Sequence, residues 1–245
     1  MSFNRILRRL GDDLPRPEYR NKAQEIAELT ARLHQRGLQL RLDLQREWEN
    51  AHVLQRLETL QRERGVLHVL DHGGGNSPTC YWLAEHGFEV TVLDVDLAAV
   101  ATLEQNRRAL GLPIRAVGYD GHAWPLPDAG FAAVVSISVF EGLLRTRRAR
   151  FWSEMRRVLA PGGSVLMTFD YGPGACAVAD PPVSVAEIQT DIVQASGMQL
   201  VGEPPREVVF DPVVGPPVKS VLPTLDGWDK VVAQYTFAAI ELRRE

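Results

Sequence analysis

The sequence predicts an α/β fold in which helices cover both faces of a mostly parallel sheet, the doubly wound arrangement. From Val66 onward, short apolar runs alternate with segments of helical length; the runs are "VLHVLD", "FEVTVLDVD", "PIRAVGYD", "FAAVVSIS" and "SVLMTF". Parallel strands joined by crossover helices produce this alternation. A glycine-rich turn follows the first run, and in such folds a ligand binds beyond the carboxyl ends of the strands.

Residues 1–64 are predicted to form a helical extension that precedes the sheet. Between residues 21 and 63 helix breakers are few, and apolar side chains such as Ile26, Leu29 and Leu33 recur every three to four residues. We expect two or three amphipathic helices, which cover one edge of the sheet or close over a ligand. The stretch "LQLRLDLQ" alternates like a strand, but no turn residues follow it, so we assign it to a helix.

Residues 65–245 are predicted to form the α/β domain itself. Its last third contains the helix "VSVAEIQTDIVQASG", which ends at Gly197, the strand "QLVG" and the final strand "QYTFAAIELRR". Between these two strands, residues 203–227 form an insertion with many prolines. Because proline is excluded from ordinary helix and ladder positions, we expect a long ordered loop or a cap there.

The composition argues against several classes of partner. A net charge of -4 gives no general attraction to nucleic acid. No apolar stretch reaches the length of a membrane span, and the first residues lack the apolar core of a signal peptide, so we expect a cytoplasmic protein without a membrane partner. Cys80 and Cys176 match no disulfide framework and no metal-binding spacing, so we expect reduced thiols and no metal site.

The stretch "DHGGGNSP" is predicted to be a strand-to-helix turn that can hold a ligand. Its glycines allow positive φ angles and let a ligand approach the backbone. Ser77 and Pro78 are typical of the N-cap and the first position of the following helix. The amides at such a helix start favour a polar or anionic group. Alone, the stretch fits a tight turn, a phosphate cradle or a nucleoside pocket.

Two acidic residues narrow these alternatives. Asp71 ends the first strand immediately before the glycines, where its carboxylate would repel a phosphate but suit an ammonium or sulfonium group. Asp94 ends the second strand, where an acid can accept hydrogen bonds from both hydroxyls of a ribose, although Asp96 could serve instead. The same order of elements still fits a nicotinamide enzyme, so the acids alone do not identify the cofactor.

Four segments taken together resemble the class I S-adenosylmethionine-dependent methyltransferases over roughly residues 66–200; they are "VLDHGGGNSP", "VTVLDVD", "YDGHAWPLPDAGFAAVVSISVFEGL" and "RRVLAPGGSVLMTF". The "RVLAPGG" turn is not expected in a nicotinamide enzyme. The chain departs from the family at Ala132, where an acid is common, and at Gly142, where small-molecule methyltransferases often carry a histidine. The resemblance implies a seven-stranded Rossmann-like sheet and S-adenosylmethionine as the cofactor, with S-adenosylhomocysteine as the product.

The resemblance also implies which residues bind the cofactor. At the methionine end, Asp71 lies near the ammonium group, and Ser136 and Ser138 flank the end of the fourth strand of the domain. The glycines against the methionine portion are Gly73, Gly74 and Gly75. At the nucleoside end, Asp94 binds the ribose. The residues expected around the adenine are Val95, Asp120 and Gly121.

The reaction implied by the resemblance is direct, in-line methyl transfer to an oxygen, nitrogen or carbon atom of a small molecule. A general base is needed only when the acceptor carries a proton with a high pKa. Glu141 in "SVFEGL" and Tyr171 in "FDYG" are the candidate bases, and Asp170 and His122 are further possibilities. Alternatives are a cofactor-binding protein without catalysis, a protein or RNA methyltransferase and, less favoured, an NAD-dependent oxidoreductase.

Overall fold

In a computed structural model of the chain, the structure is described for residues 3–8, 16–41, 46–172, 180–210, 216–223 and 229–245. The strands in these residues are β1 (Arg5–Ile6), β2 (His68–His72), β3 (Glu89–Asp94), β4 (Ile114–Gly118), β5 (Phe131–Ile137), β6 (Leu159–Tyr171), β7 (Gln199–Leu200), β8 (Val218–Pro223) and β9 (Asp229–Arg243). The helices are α1 (Pro17–Gln35), α2 (Glu47–Arg64), α3 (Pro78–Glu85), α4 (Leu97–Leu110), α5 (Arg145–Val158) and α6 (Val185–Glu187), and α6 continues as a π-helical segment, Ile188–Gln194.

The sheet confirms the predicted doubly wound, mostly parallel arrangement. Its strand order is β1-β9-β6-β5-β2-β3-β4, and β7 and β8 also pair with β9. The five strands from β2 to β6 are parallel to their neighbours, whereas β9 runs antiparallel to β6. The chain proceeds from β2 towards β4 and then returns to β5 on the other side of β2. This reversal opens a crevice at the carboxyl ends of β2 and β5, where folds of this kind bind ligands.

Alternation along the strands divides the core between two faces of the sheet. Val69 of β2 packs in a cluster with side chains of α1, α2, α3 and α4, and we call this side the first face. Leu70 packs with side chains of α5 and of the π-helical segment on the second face. Because successive side chains of a strand point to opposite faces, Asp71 lies on the first face and His72 on the second.

The N-terminal extension contains a strand as well as helices. α1 and α2 agree with the prediction, but Arg5 and Ile6 pair with Ala239 and Ala238 of β9 and so belong to the sheet. The helix predicted for "LQLRLDLQ" is wrong for residues 38–41, which have no regular secondary structure, and residues 42–45 lie outside the described residues. Main-chain groups of residues 38–41 bond to the glycine loop instead of continuing a helix.

The proline-rich insertion also differs from the prediction. Part of it forms β8, which pairs antiparallel with β9, so the expectation of a loop or cap is wrong for residues 218–223. The proline within β8 is Pro223, its last residue, and a proline at the end of a strand removes little from the ladder. Residues 203–210 have neither helix nor strand, and 211–215 and 224–227 lie outside the described residues. The predicted final strand is confirmed by β9.

The helices carry many charged side chains along their length. α1 combines a buried apolar side with Arg, Lys and Glu residues, and α2 combines one with Arg and Glu residues. No helix in the described part of the chain is both long enough and apolar enough to span a lipid bilayer.

Candidate active site

The glycine loop joins β2 to α3 at the crevice of the sheet. Gly73 and Gly75 adopt φ angles of 75° and 54°, which favour glycine. The Gly73 amide donates to the carbonyl of Leu93 over 2.8 Å, and the Ser77 amide donates to the carbonyl of Gly74 over 3.1 Å. Ser77 occupies the N-cap of α3, as predicted, although its side chain makes no capping hydrogen bond. The loop is therefore fixed to the end of β3.

Gly73 and Gly74 have no room for a side chain, and Gly75 has little. A Cβ atom on Gly74 would lie 2.1 Å from Oδ2 of Asp71, and one on Gly73 would lie 2.4 Å from Cγ2 of Val139. A Cβ atom on Gly75 would lie 3.2 Å from Oδ2 of Asp94. The two predicted acids thus border adjacent glycines of the same loop, which brings the two strand ends together as the sequence predicted.

Both of these acids are buried and incompletely hydrogen-bonded. Asp71 is 2% and Asp94 5% exposed, and Oδ2 of each has no hydrogen-bond partner. Burial, and to a smaller extent Asp94, raises the pKa of Asp71 to about 7. Asp96 is engaged elsewhere, because it caps α4 by accepting from the amides of Ala98 and Ala99. Buried polar atoms are normally paired, so the two unpaired oxygens indicate a ligand that brings hydrogen-bond donors.

A cavity of about 580 Å³ adjoins the glycine loop. Asp71, Gly73, Gly74 and Ser138 line it on the side of the sheet. α1 lines it with mostly small or apolar side chains, namely Ala23, Ile26, Ala27, Thr30, Ala31 and His34. The volume lies within the range of roughly 300–1,000 Å³ that small-molecule sites occupy.

The residues expected around the adenine lie beside this cavity and do not line it. Val95 is 55% exposed, directly after the buried Asp94. Gly121 has a φ angle of 80°, and a Cβ atom on it would lie 3.8 Å from Cγ1 of Val95. Asp120 is exposed, and its Oδ1 accepts from the amide of His122 over 2.9 Å. The structure therefore brings Asp94, Val95 and Gly121 together, and their adenosine-binding role stays a prediction.

The two predicted serines at the end of β5 have different surroundings. Ser136 is fully buried on the second face, where its Oγ lies 3.5 Å from Nδ1 of His72. Burial lowers the pKa of His72 to about 4, and its ring stacks on Trp124. Ser138, with a φ angle of 52°, lines the cavity and donates to Oε1 of Glu49 over 2.7 Å. Of the two serines, Ser138 alone lines the cavity.

Three buried carboxyl groups and one arginine gather beyond Ser138, and we call Arg46, Glu49, Glu141 and Asp170 the acid cluster. Nη1 of Arg46 lies 3.0 Å from Oε2 of Glu49 and 2.7 Å from Oδ1 of Asp170. Glu141 is 5% exposed, and neither of its carboxyl oxygens has a hydrogen-bond partner. Burial, reinforced by Asp170, raises the pKa of the Glu141 carboxyl well above its usual range. Neither this cluster nor any other group of His, Cys, Asp or Glu in the described residues is arranged to hold a metal ion.

The two candidate bases are not brought together. Arg46 lines the cavity, whereas Glu141 does not. Tyr171 lies on the second face, where its hydroxyl donates to the Glu207 carboxylate. Burial, followed by Glu207, raises the pKa of Tyr171 above its usual range. Both residues stay predictions as general bases.

The sequence analysis missed Arg41, Arg46 and Glu49. Arg41 and Arg46 line the cavity, and Glu49 is completely buried. One signal was present for Glu49. It lies beside Trp48 on the buried side of α2, and a buried acid is normally paired with another polar or charged group. No local pattern marks Arg41, which lies in the segment that joins α1 to α2.

Comparison with protein families matches residues 69–163 to a model described as a methyltransferase domain. A demethylmenaquinone methyltransferase from Thermus thermophilus is 31% identical over 110 residues, which are 44% of this chain and 49% of that protein. The chain thus spans about half the length of this curated relative. The residues matched to the methyltransferase domain, 69–163, contain the glycine loop, Asp71, Asp94 and Glu141.

Solved structures with a similar fold cover more of the chain. A SAM-dependent methyltransferase from Aquifex aeolicus aligns with a TM-score of 0.52 at 18% identity, over 77% of this chain and 89% of that one. The [4+2]-cyclase SpnF aligns with a TM-score of 0.57 at 17% identity, over 93% of this chain and 97% of that one. At these identities the likeness establishes the fold alone.

Proposed function

We propose that the chain, whose residues 69–163 match a methyltransferase domain, is a class I S-adenosylmethionine-dependent methyltransferase that transfers a methyl group from S-adenosylmethionine to a small-molecule acceptor. The observation that carries the proposal is the pair of unpartnered oxygens on the buried acids Asp71 and Asp94, which border a glycine loop that has little or no room for side chains. These groups fit the family's cofactor. Its ammonium group and its ribose hydroxyls are donors that would satisfy the two oxygens.

The proposed cofactor site uses most of the residues that the sequence predicted. Asp71 and the glycine loop would hold the amino-acid portion, and Asp94 would hold the ribose. Val95, Asp120 and Gly121 would bind the adenine at the exposed side of the crevice. Ser138 borders the cavity, whereas Ser136 would contribute through its main chain, because its side chain lies on the second face.

The chain's main contribution to the reaction would be to orient the acceptor. When bound, S-adenosylmethionine supplies an electrophilic methyl group on a sulfonium, and displacement of the neutral thioether requires no covalent enzyme intermediate. Holding the acceptor atom in line with the bond that breaks supplies much of the rate acceleration. The cavity beside Asp71 and Ser138 would provide the space for the acceptor, with the small and apolar side chains of α1 on its opposite side.

The acid cluster is the proposed source of proton transfer. At neutral pH the raised pKa of Glu141 keeps a proton on this carboxyl, and a shift of Arg46 would connect it with the cavity. After releasing this proton to solvent, the carboxylate would be a stronger base than an ordinary glutamate, and it would take up the proton of an acceptor such as an alcohol, a phenol or an amine. The name of the demethylmenaquinone methyltransferase relative supports an acceptor of small-molecule size.

One observation favours the alternative of a cofactor-binding protein without catalysis. Neither Glu141 nor Tyr171 lines the cavity, so no candidate base reaches the acceptor space directly. Under this alternative the cofactor pocket persists and turnover is absent.

Turnover assays with labelled cofactor distinguish these functions. The protein is incubated with S-adenosylmethionine labelled in its methyl group, together with the small-molecule, RNA or protein fraction of a bacterial extract. We expect label to enter the small-molecule fraction and S-adenosylhomocysteine to form. Label in RNA or protein alone would contradict the acceptor class. S-adenosylhomocysteine binding without turnover in any fraction would favour the binding protein.

A further inference from the structure

Ser138 lies between the cavity and the acid cluster. It directly follows β5, lines the cavity and has a φ angle of 52°, a conformation that residues other than glycine seldom adopt. Its amide donates to the carbonyl of Thr168 over 3.0 Å, which ties it to β6. Residues held in such conformations are concentrated at active sites. Ser138 is therefore a candidate for a role in the reaction.

The hydrogen bond made by the Ser138 hydroxyl determines what this group can offer to a ligand. A serine hydroxyl has one hydrogen to donate and two lone pairs that accept. Ser138 donates its hydrogen to Oε1 of Glu49 over 2.7 Å. While this bond holds, Oγ has only lone pairs left for a ligand in the cavity. An alcohol, a phenol or an amine brings the O–H or N–H donor that fits such an oxygen.

Glu49 has the surroundings of a carboxylate that accepts from two sides. It is completely buried on α2, and its second oxygen, Oε2, lies 3.0 Å from Nη1 of Arg46. Both of its oxygens thus face donors, an arrangement that suits the ionised form. Burial raises the pKa of Glu49, and Arg46 and Ser138 act in the opposite direction. A buried carboxylate with a raised pKa takes up a proton more readily than an exposed one.

The remaining members of the acid cluster lie on the far side of Glu49. Asp170 of β6 adds negative charge that favours the protonated form of Glu49, and Glu49 in turn raises the pKa of Glu141. Neither Asp170 nor Glu141 lines the cavity, whereas Ser138 does. Ser138 and Glu49 therefore connect the cavity with the acid cluster without any shift of Arg46.

We propose that Ser138 and Glu49 form a relay that removes the proton of the acceptor group; this inference rests on the proposed function and names its proton route. As the acceptor oxygen or nitrogen bonds to the methyl carbon, the methyl–sulfur bond breaks and sulfur keeps its electron pair. The acceptor's proton passes to Oγ of Ser138, and the hydrogen of Ser138 passes to Oε1 of Glu49. Sulfur becomes neutral, Glu49 becomes a carboxylic acid, and the Ser138 hydroxyl is regenerated. The relay requires an acceptor with a hydroxyl or an amino group.

Two substitutions test the relay in turnover assays with labelled S-adenosylmethionine and the small-molecule fraction of a bacterial extract. Ser138→Ala and Glu49→Gln should each lower the maximal rate of S-adenosylhomocysteine formation by about 100-fold or more, as the loss of a proton acceptor predicts. The double variant should be no slower than the slower single variant, because both residues serve one proton route. Glu58→Gln is the matched control on α2 and should keep the wild-type rate. Glu58 pairs with Lys22 over 2.6 Å and does not line the cavity.

Two further measurements distinguish a relay from a structural role or a cofactor contact. Calorimetric titration should show that both variants bind S-adenosylhomocysteine within about twofold of the wild-type affinity, because the relay serves the acceptor. With cofactor saturating, so that protonation of Asp71 does not limit binding, wild-type turnover should rise with pH as Glu49 loses its proton. Infrared difference spectra between the wild-type protein and Glu49→Gln should show the carboxylic-acid band of Glu49 fade over the same pH window. Arg46, Glu141 and Asp170 are present in both proteins, so the difference isolates Glu49.

The outcomes separate this inference from the proposed function. The relay is overturned if either variant keeps wild-type turnover, if the two losses multiply in the double variant, or if the Glu49 band fades outside the pH window of turnover. It is also overturned if Ser138→Ala weakens S-adenosylhomocysteine binding about tenfold or more, because Ser138 would then serve the cofactor. The proposed function stands in each of these cases. If the wild-type protein labels no fraction, the proposed function fails and the relay fails with it. Thermal unfolding identifies folded variants, and if Glu49→Gln does not fold, Ser138→Ala decides.

Discussion

Gly74 offers a direct test of how tightly Asp71 is held against the loop. In Gly74→Ala the new methyl carbon would lie 2.1 Å from Oδ2, 2.3 Å from Cγ and 2.5 Å from Oδ1 of Asp71, so the carboxyl or the loop must retreat by more than an ångström. Inserting a methyl group into such a site costs about 1–3 kcal/mol. For a chain of this size the cost corresponds to a fall in Tm of roughly 2–12 °C. Displacement of Asp71 should also weaken S-adenosylhomocysteine binding.

The assay compares thermal unfolding and S-adenosylhomocysteine binding among four variants, namely Gly74→Ala, Gly142→Ala, Asp71→Ala and the double variant Asp71→Ala/Gly74→Ala. Gly142→Ala is the matched control, because a Cβ atom on Gly142 meets no atom within 4 Å. In the Asp71→Ala background the same change at Gly74 should cost less, because the clashing carboxyl is gone. The reasoning is refuted if Gly74→Ala unfolds at the same temperature as Gly142→Ala, or if removal of the Asp71 carboxyl leaves the cost unchanged.

Two pH-dependent predictions follow from the buried acids. The pKa of Asp71 is raised to about 7, so Asp71 is protonated below that pH, and S-adenosylhomocysteine should bind more tightly as the pH rises through 7. In Asp71→Asn this pH dependence should disappear from calorimetric titrations, and its persistence would show that another group is responsible. The pKa of Glu141 in the folded chain is raised above its usual 4.5, so its stabilising contribution is complete below 4.5 and is lost as the pH rises through the higher value. Unfolding free energies from denaturant titrations should fall by at most about 1.4 kcal/mol per pH unit in that window for the wild-type protein relative to Glu141→Gln, and parallel pH profiles would contradict a buried, unpaired Glu141.

Local patterns were sufficient to predict the sheet and the loop within it. The apolar runs gave β2, β3, β4, β5 and part of β6, because strands buried on both faces are continuously apolar. The glycines and the acids before and after them predicted the meeting of Asp71 and Asp94, since parallel strands end at one edge of the sheet. Such signals depend on residues that are close in sequence or related by the regular geometry of a sheet.

The faces of Ser136 and Tyr171 could also have been predicted by counting along their strands. Ser136 is two residues from Val134 and Tyr171 two residues from Phe169, and both apolar residues pack on the second face. The period of two therefore places both polar side chains away from the first face, on which Asp71 lies.

The contacts made by the N-terminal extension could not be predicted. Arg46 meets Asp170 across 124 positions of the chain, and no local pattern encodes that pairing. The strand-like alternation of residues 38–41 was correctly judged not to form a strand, but the helix assigned instead was wrong, because Asn76 and Asn106 bind the main chain there. β8 was not predicted because the prolines of the insertion were taken to exclude a strand there, whereas a proline at the last position of a strand, such as Pro223, is compatible with pairing.

The central claim is that the crevice between β2 and β5 binds S-adenosylmethionine through Asp94 and the glycine loop. Calorimetric titration of S-adenosylhomocysteine into the wild-type protein and Asp94→Ala tests it most directly. The account predicts saturable binding to the wild-type protein, weakened by about 1–3 kcal/mol in Asp94→Ala through the loss of hydrogen bonds to the ribose, and no binding of NAD. Absence of binding to the wild-type protein, or equal affinity of Asp94→Ala, would contradict it.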